Sequence, residues 1–440
     1  MEQVRGRISA DLLMAGSRNS EKAKDIERSI SMLQLQMMTA RALPDLNRLR
    51  NELFTVEESR WVTPGVSILK RQGQEVISMD LVRQSLNPET AILEYVVGEE
   101  RSHCLVMTRN GTRIVPLTAE SKIDGLVASY LKAVHDRLPA HQEARELFNA
   151  LLRPILETGH EQNLIIVRDG QLHLLPFDAL EDQAGKYVVE SYTVAYAPSV
   201  TSYYLLAREA ARSNRSMVPL LGVGGIPYSR AALKPLSFGP PEKEKGLTDL
   251  PYSKQEVLDA NTELAGKSTL LLEERATEVE FKRAVQNHYG TIHIAVHGLA
   301  NSPDPDNASL VLLPIASAGE DGLLHASEIA MMHLDANLIV LSACDTAVGP
   351  IEGEEGISTL SNSFLLAGAK GVVSTLWSVQ DESSLFLMTQ FYSRIAAGDP
   401  AGLALAKAKR KLLQKFAGAV LPYFWAGFTF EGTLGLQTAH

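Results

Sequence analysis

The chain has 440 residues, a formal net charge of −10 and an estimated pI near 5.6. Hydrophobic residues make up 45% and charged residues 21%, a balance that predicts a globular protein with a large buried core. An acidic chain without a concentrated basic run repels phosphate backbones, so nucleic acid is excluded as an expected partner.

The lack of a recognisable targeting signal and the low number of cysteines predict a cytoplasmic protein. The first 17 residues, MEQVRGRISADLLMAGS, contain no apolar run of signal-peptide length. No stretch of about 18 apolar residues predicts a membrane span, so no membrane contact is expected. The two cysteines, Cys104 and Cys344, are too few for a disulfide framework in so long a chain. We therefore expect two thiols in a reducing compartment.

The N-terminal part, residues 1–85, is predicted to be a helical cap or connector. Apolar residues recur at three-to-four spacing between Ser20 and Leu43, and Pro44 would end that helix. A second short helix is expected to follow over 44–58. The region shows no helical repeat of about 34 residues.

Residues 86–210 are predicted to form a smaller α/β half. Asn110-Gly111 between two apolar runs is a strong hairpin signal. The expected strands are 91–97, 103–108, 113–117, 163–167, 171–175 and 191–197, with helices over 119–136 and 141–157.

Residues 211–440 are predicted to form a second α/β half in which strands and helices alternate. The expected strands are 219–224, 268–272, 290–296, 309–313, 337–342 and 370–376. The expected helices are 253–265, 277–288, 326–332, 356–368, 381–397 and 400–416. Several strands are apolar throughout, as in Leu338–Ser342, which is typical of a parallel sheet that is covered on both faces.

Two of these strands run into residues whose side chains can take part in catalysis. His297-Gly298 follows the strand over 290–296, and Ala343-Cys344-Asp345 follows the strand over 337–342. The carboxyl ends of parallel strands form the functional crevice of such sheets. If the two strands are neighbours, the imidazole and the thiol face each other there. A thiolate is a strong nucleophile that needs only a histidine base, so the pattern predicts a cysteine hydrolase.

The residues next to this pair have predicted roles of their own. Gly298 is expected to let the backbone turn sharply, and its N–H with that of Cys344 could hold a developing oxyanion. Asp345 could orient the loop or line a substrate pocket, and the sequence favours neither role.

No metal or cofactor is expected. His293 and His297 form an H-x3-H pair, but on a strand they lie about 13 Å apart and cannot share one ion. His293 is therefore expected to be a buried, hydrogen-bonded residue. The sequence Gly222-Val-Gly-Gly225 lacks the Lys-Ser/Thr of a nucleotide-binding loop.

Longer segments carry a family signature in a consistent order. They are LEYVVGEERSHCLVMTRNG (93–111), LIIVRDGQLHLLPFDAL (164–180), TVAYAPSV (193–200), HIAVHG (293–298), LIVLSACDTA (338–347), GEEGISTLSNSFLLAGAKGVVSTLWSVQDESS (353–384) and FY (391–392). Together they resemble the CHAT domain family, caspase-like cysteine peptidases that are related to separase and often fused to tetratricopeptide (TPR) repeats. The resemblance extends over roughly residues 85–435.

The resemblance implies a fold and a reaction. The fold would be a caspase-hemoglobinase-like, mostly parallel sheet with flanking helices. His297 matches the family's catalytic histidine and Cys344 its nucleophile, 47 residues apart, near the spacing of about 50 found in caspases. The expected activity is hydrolysis of a peptide bond in a protein substrate. Asp381, in WSVQD, matches a separase position whose acid receives a basic P1 side chain, or it caps the following helix.

One departure from the family bears on regulation. The TPR array that usually precedes such domains is missing here, which leaves regulation and substrate delivery open. A protein substrate and a regulatory protein or TPR-type partner are the predicted partners. The alternative function is a catalytically silent scaffold that binds other proteins, although a scaffold would need neither His297 nor Cys344.

Overall fold

The structure of the protein is a computed structural model that describes most of the chain from Ile77 onward. The described residues are 77–157, 159–210, 217–229, 247–299, 308–315, 320–342, 354–377, 379, 382–416 and 419–434, with the backbone alone for 354–359. The helices predicted over 20–43 and 44–58 lie outside these ranges.

Fourteen strands are present among the described residues. They are β1 (Thr90–Val96), β2 (Ser102–Thr108), β3 (Gly111–Leu117), β4 (Asn163–Val167), β5 (Thr193–Tyr196), β6 (Val218–Gly224), β7 (Thr269–Leu272), β8 (Tyr289–Ala295), β9 (His297–Leu299), β10 (Ser309–Val311), β11 (Leu323–His325), β12 (Ala336–Leu341), β13 (Gly371–Thr375) and β14 (Phe428–Gly432).

Twelve α-helices accompany these strands in the described ranges. They are α1 (Met79–Ser85), α2 (Glu120–His135), α3 (His141–Leu151), α4 (Arg153–Leu156), α5 (Val188–Ser191), α6 (Val200–Ala210), α7 (Ser253–Leu264), α8 (Glu278–Ala284), α9 (Ala326–Met331), α10 (Glu354–Leu366), α11 (Glu382–Ala396) and α12 (Ala401–Lys415). No described helix is both long and apolar enough to cross a membrane.

One large sheet organises the molecule. Its eleven strands run in the order β3-β2-β1-β4-β5-β14-β13-β12-β8-β6-β7. Strands β1, β4 and β5 are parallel to one another, and so are β13, β12, β8, β6 and β7. Strand β14 pairs parallel with β5 and antiparallel with β13, so the two parallel groups run in opposite directions. The predicted fold class, α/β with a large and mostly parallel sheet, is confirmed.

The apolar strands are explained by burial on both faces. In β12, Leu338 and Val340 belong to one buried cluster, and Ile339 and Leu341 belong to another. Successive side chains of a strand point to opposite faces, so these clusters lie on the two sides of the sheet. Helices α7 and α11 pack against each other, and α7 also packs on β6 and β8.

The predicted strand over 171–175 is wrong. Residues Gly170–Leu174 form a 3₁₀ helix, with Gly170 at φ +54°, a left-handed conformation that glycine adopts readily. Leu172 and Leu175, three residues apart, are both fully buried by this turn. Arg168 stabilises it by donating from Nη1 to the carbonyl of His173 at 2.8 Å.

Strand β14 was missing from the sequence prediction. It comes 53 residues after β13 in the chain, and yet it pairs with β13 in the centre of the sheet. The sheet thereby continues across the boundary predicted at residues 210 and 211. The division of the chain into units 1–85, 86–210 and 211–440 stays a prediction.

Candidate active site

The two strands that lead into the predicted dyad are neighbours. Strands β8 and β12 pair in parallel, with Val340 opposite His293 and Leu341 opposite Ile294. The backbone N–H of Ser342, just beyond β12, donates to the carbonyl of Ile294 at 2.9 Å. The condition that the sequence left open, adjacency of these strands, is therefore met.

His297 lies just beyond β8, as the first residue of β9. The chain bends at Val296, and β9 leaves the large sheet to join a small antiparallel sheet in the order β11-β10-β9. The side chain is 1% exposed, and its Nε2 lies 2.7 Å from the carbonyl oxygen of Thr248. Because a carbonyl can only accept, Nε2 is the donor in this contact.

Tyr228 fixes the backbone and the ring of His297. Its hydroxyl accepts a hydrogen bond from the His297 N–H at 3.1 Å and donates to the carbonyl of Val311 at 2.8 Å. The two aromatic rings meet edge to face, with centroids 4.6 Å apart. Burial raises the pKa of Tyr228 above its usual range, so the hydroxyl keeps the proton that it donates. The Thr248 carbonyl and Tyr228 thus hold the imidazole, and strand β10 pairs with the His297 backbone.

Gly298 follows within β9, opposite Leu310 of β10. The sharp turn predicted at Gly298 falls instead at Val296, between β8 and β9. Gly298 is buried, and it continues the strand. Its assignment as an oxyanion donor stays a prediction.

Three predicted site residues lie outside the described part of the chain: Cys344, Asp345 and Asp381. Ser342 is the last described residue before Cys344. Helix α11 begins at Glu382, directly after Asp381, as the helix-cap interpretation of that residue requires. The predicted roles of all three residues stay predictions.

Sequence reasoning missed a group of buried and partly buried polar residues beside this site. Glu256 of α7 accepts a hydrogen bond from the Ser342 hydroxyl at 2.9 Å, and its other oxygen lies 3.5 Å from Nε2 of His293. Nδ1 of His293 is hydrogen bonded to the hydroxyl of Tyr392 on α11. His293 is completely buried, as predicted. A glutamate in a polar helix is ordinarily solvated, so only the H-x3-H spacing could have drawn attention to this group.

Burial shifts two titrating members of the group, Glu256 and His293, toward their neutral forms. It raises the pKa of Glu256 from 4.5 to about 7, against the lowering effect of the Ser342 hydrogen bond. It lowers the pKa of His293 from 6.5 to about 3. Desolvation disfavours whichever form is charged, which explains the opposite signs.

Elsewhere, three carboxylates are clustered as in a metal site, but a lysine ammonium binds between them. Carboxylate oxygens of Glu278, Glu320 and Glu328 lie within 4.8 Å of one another. The ammonium of Lys282 contacts all three, at 2.7, 2.7 and 2.8 Å. This cation pairs with all three carboxylates, and the arrangement is best described as an ion-pair network between α8, α9 and Glu320, three residues before β11.

Comparison with known proteins supports the family and the fold. The chain is 25% identical over 371 residues to tetratricopeptide repeat protein 28 of Homo sapiens, covering 76% of this chain and 14% of that protein. The Mus musculus protein of the same name is 25% identical over 410 residues, covering 82% of this chain and 16% of that protein. The chain therefore spans only a small part of the length of these relatives.

A solved structure shares the fold. A chain of the Saccharomyces cerevisiae separase–securin complex superposes with a TM-score of 0.52 at 10% identity, covering 91% of this chain and 33% of that chain. At this identity the likeness shows the fold alone. The profile of the CHAT domain matches residues 141–433, which contain both parallel strand groups apart from β1. Since that match extends over more than half of the sequence, the chain belongs to the CHAT domain family.

Proposed function

We propose that the protein is a cysteine endopeptidase in which Cys344 is the nucleophile and His297 its base. The observation that carries the proposal is the setting of His297. Its imidazole is held by the Thr248 carbonyl and by Tyr228 at the end of β8, beside the strand that leads to Cys344. A buried histidine that only filled space would not need a defined proton position.

The chemistry follows from that proton position. With Nε2–H donated to Thr248, Nδ1 accepts the proton of the Cys344 thiol, and the thiolate attacks the carbonyl carbon of the scissile bond. The Thr248 carbonyl also stabilises the imidazolium, because a charged donor forms a stronger hydrogen bond. The imidazolium then protonates the leaving amine, and water, deprotonated by the same imidazole, hydrolyses the thioester.

Two further parts of the reaction are assigned to backbone and acidic groups. The N–H groups of Gly298 and Cys344 would hold the oxyanion of the tetrahedral intermediate, where each donor typically contributes about 10²–10³ in rate. Asp381 would receive a basic P1 side chain, with Asp345 lining the same pocket. The reaction requires no metal or cofactor in this scheme.

The substrate in this proposal is a protein, and the setting is the cytoplasm. Regulation by another protein or by a TPR-type partner belongs to the same proposal, since relatives that match the chain are named for their TPR repeats. The competing function, a silent scaffold, makes a different experimental prediction, because it needs no reactive thiol.

Covalent labelling separates the two functions. A peptidyl chloromethyl ketone should modify Cys344 in the wild type, and His297→Ala should slow that reaction sharply because the thiol loses its base. Cys104→Ala is the matched control, since Cys104 is fully buried in β2 and its thiol should not react. Labelling that survives Cys344→Ala, or that is unchanged by His297→Ala, would contradict the proposed dyad.

A further inference from the structure

A row of four polar side chains runs through the interior next to the candidate site. It passes from Ser342 after β12, through Glu256 of α7 and His293 of β8, to Tyr392 of α11. Exposure of the side chain is 12% for Glu256 and zero for His293. Four different elements therefore contribute to one connected set of polar contacts.

This set is costly to bury and therefore calls for an explanation. Placing a carboxyl group in the interior costs free energy that hydrogen bonds only partly offset. An apolar residue at position 256 would pack between α7, β6 and β8 without that cost, as its neighbour Val257 does with zero exposure. A purely structural role leaves the choice of glutamate without a reason.

The placement of Glu256 connects it to both members of the dyad. One of its oxygens holds Ser342, which precedes Cys344 by two residues, and the other faces His293, which precedes His297 by four. The same carboxyl group thus contacts one side chain from each of the two strands that lead into the dyad.

We propose that Glu256, acting through Ser342, is a positioning residue that holds the beginning of the Cys344 segment in register with the histidine strand. The inference rests on the proposed cysteine peptidase function. Glu256 does not touch the substrate in this scheme. It sets how closely the thiol approaches His297, and hence how much of the thiol exists as the reactive thiolate.

The groups around Glu256 define how the contact responds to pH. Asp259 faces it from the same helix and favours its neutral form. His293 faces it from β8 and Tyr392 from α11, and both stay uncharged near neutrality because burial lowers the pKa of the imidazole and raises that of the phenol. Ser342 supplies the hydrogen bond from the end of β12, and β6 brings no titrating side chain. Ionisation of Glu256 is therefore the one change of charge expected in this group near neutral pH.

The test follows Cys344 itself. Alkylation of the full chain by iodoacetamide is measured against pH, with modification of Cys344 quantified by mass spectrometry. A thiol near its histidine reacts at low pH, whereas an isolated thiol has a pKa of about 8.5. Ser342→Ala and Glu256→Ala should move the midpoint of alkylation toward that value and lower kcat about tenfold or more, with KM unchanged.

Conservative and combined variants sharpen the result. Glu256→Gln keeps an oxygen that accepts from Ser342, so it should retain most of the wild-type reactivity at neutral pH. The double variant Glu256→Ala/Ser342→Ala should be no worse than the more severe single one, since both act through one contact. Ser202→Ala in α6 removes a buried hydroxyl and Glu431→Gln in β14 alters a buried carboxyl, and neither residue takes part in the contact between Ser342 and Glu256, so both serve as matched controls.

The outcomes separate this inference from the function on which it rests. If Ser342→Ala and Glu256→Ala leave the alkylation midpoint where Ser202→Ala and Glu431→Gln leave it, Glu256 is not a positioning residue, whatever the peptidase activity. If the midpoint shifts as expected but no peptide or protein is cleaved, the positioning role stands and the peptidase function fails. Alkylation of Cys344 does not require substrate turnover, so the alkylation and cleavage measurements can be interpreted independently.

Discussion

The two groups of parallel strands differ in direction and in what stands at their ends. Because β14 joins β5 in parallel and β13 antiparallel, the carboxyl ends of β1, β4 and β5 lie at one edge of the sheet. The carboxyl ends of β8 and β12 lie at the opposite edge. Each group of parallel strands therefore has its own edge at which a ligand-binding crevice can form, and the two edges lie on opposite sides of the sheet.

At the end of β4, the residues are used for packing. The Arg168 guanidinium lies over the ring of Tyr196 at 4.3 Å and donates to the His173 carbonyl. At the end of β8, the imidazole of His297 is instead oriented by the Thr248 carbonyl and the Tyr228 ring. The same location in a parallel sheet thus serves a closed cation–aromatic contact in one half and an oriented imidazole in the other.

The two cysteines also differ between the two halves of the sheet. Cys104 lies within β2, fully buried, and burial raises the pKa of its thiol far above the usual range. Such a thiol stays protonated and inert. Cys344 follows a strand end in the other half. The comparison shows that the position of a thiol relative to the sheet edge, and not its presence alone, distinguishes the two cysteines.

Removing each thiol in turn is the strongest way to break this comparison. Cys344→Ala should reduce cleavage of a protein substrate to background, a loss on the order of 10³-fold or more, because no other group can form the acyl-enzyme. Cys104→Ala should leave kcat unchanged. Cleavage assays at equal folded concentration, checked by circular dichroism, measure both. Residual cleavage near the wild-type rate in Cys344→Ala would remove that residue as the nucleophile.

A second prediction compares the glycines that follow β4 and β8. Gly298→Val should lower kcat by about 10²–10³ if its N–H holds the oxyanion, because the added side chain displaces the backbone of β9. Gly170→Val in the other half, where φ is +54°, should lower the melting temperature through backbone strain but leave kcat of the folded protein unchanged. Equal kcat values for both variants would exclude Gly298 from the reaction.

Much of this arrangement could be predicted from the sequence. The apolar runs of β8 and β12 identify a sheet that is buried on both faces, and the residues after them form the candidate site. Strand β14 could not be found in this way, because its central place depends on pairing with a strand 53 residues earlier. Its five residues, FTFEG, carry too little pattern alone.

The contacts that orient His297 were also beyond sequence reasoning. Thr248 acts through its backbone carbonyl, which any residue could supply, and it lies 49 positions away from the histidine. Glu256 occurs in a helix with many polar residues, where a solvated position is the ordinary interpretation. Only the tertiary packing of α7 on β8 turns that glutamate inward.

The third prediction concerns stability against pH. Since burial raises the pKa of Glu256 to about 7 from 4.5, the folded protein holds this proton more tightly than the unfolded chain. The contribution to stability is present at low pH and falls as pH rises from about 4.5 to 7, by roughly 3 kcal/mol. Glu256→Gln removes this loss, so its stability relative to the wild type should increase between pH 5 and pH 8.

Urea unfolding at both pH values measures this difference. Ser202→Ala in α6 provides the control, because its hydroxyl does not titrate and its stability difference from the wild type should be the same at pH 5 and pH 8. A pH-independent difference for Glu256→Gln would mean that the carboxyl group has an ordinary pKa in the folded protein.

The last prediction, with the smallest effect, concerns substrate preference at the edge that carries His297. Asp381 follows β13 and directly precedes α11, so its carboxylate could cap that helix or receive an Arg or Lys side chain at P1. The variant Asp381→Asn discriminates between these roles, because asparagine caps a helix about as well as aspartate but carries no charge. We expect kcat/KM to fall about tenfold for peptides with Arg or Lys at P1, and to change little for peptides with a neutral P1 residue.

Glu382→Gln is the matched control for this comparison. Glu382 is the adjacent, exposed acid in the first turn of α11, so its loss alters the charge of the same helix terminus without emptying the pocket. If Asp381 acts only as a cap, Asp381→Asn should be silent and Asp381→Ala should lower the stability alone, by about 1 kcal/mol. Equal losses for basic and neutral P1 peptides, or a native preference for Asp at P1, would show that Asp381 does not select the substrate. A selective loss in Asp381→Asn but not in Glu382→Gln would place the specificity pocket after β13, at the sheet edge where β8 and β12 also end.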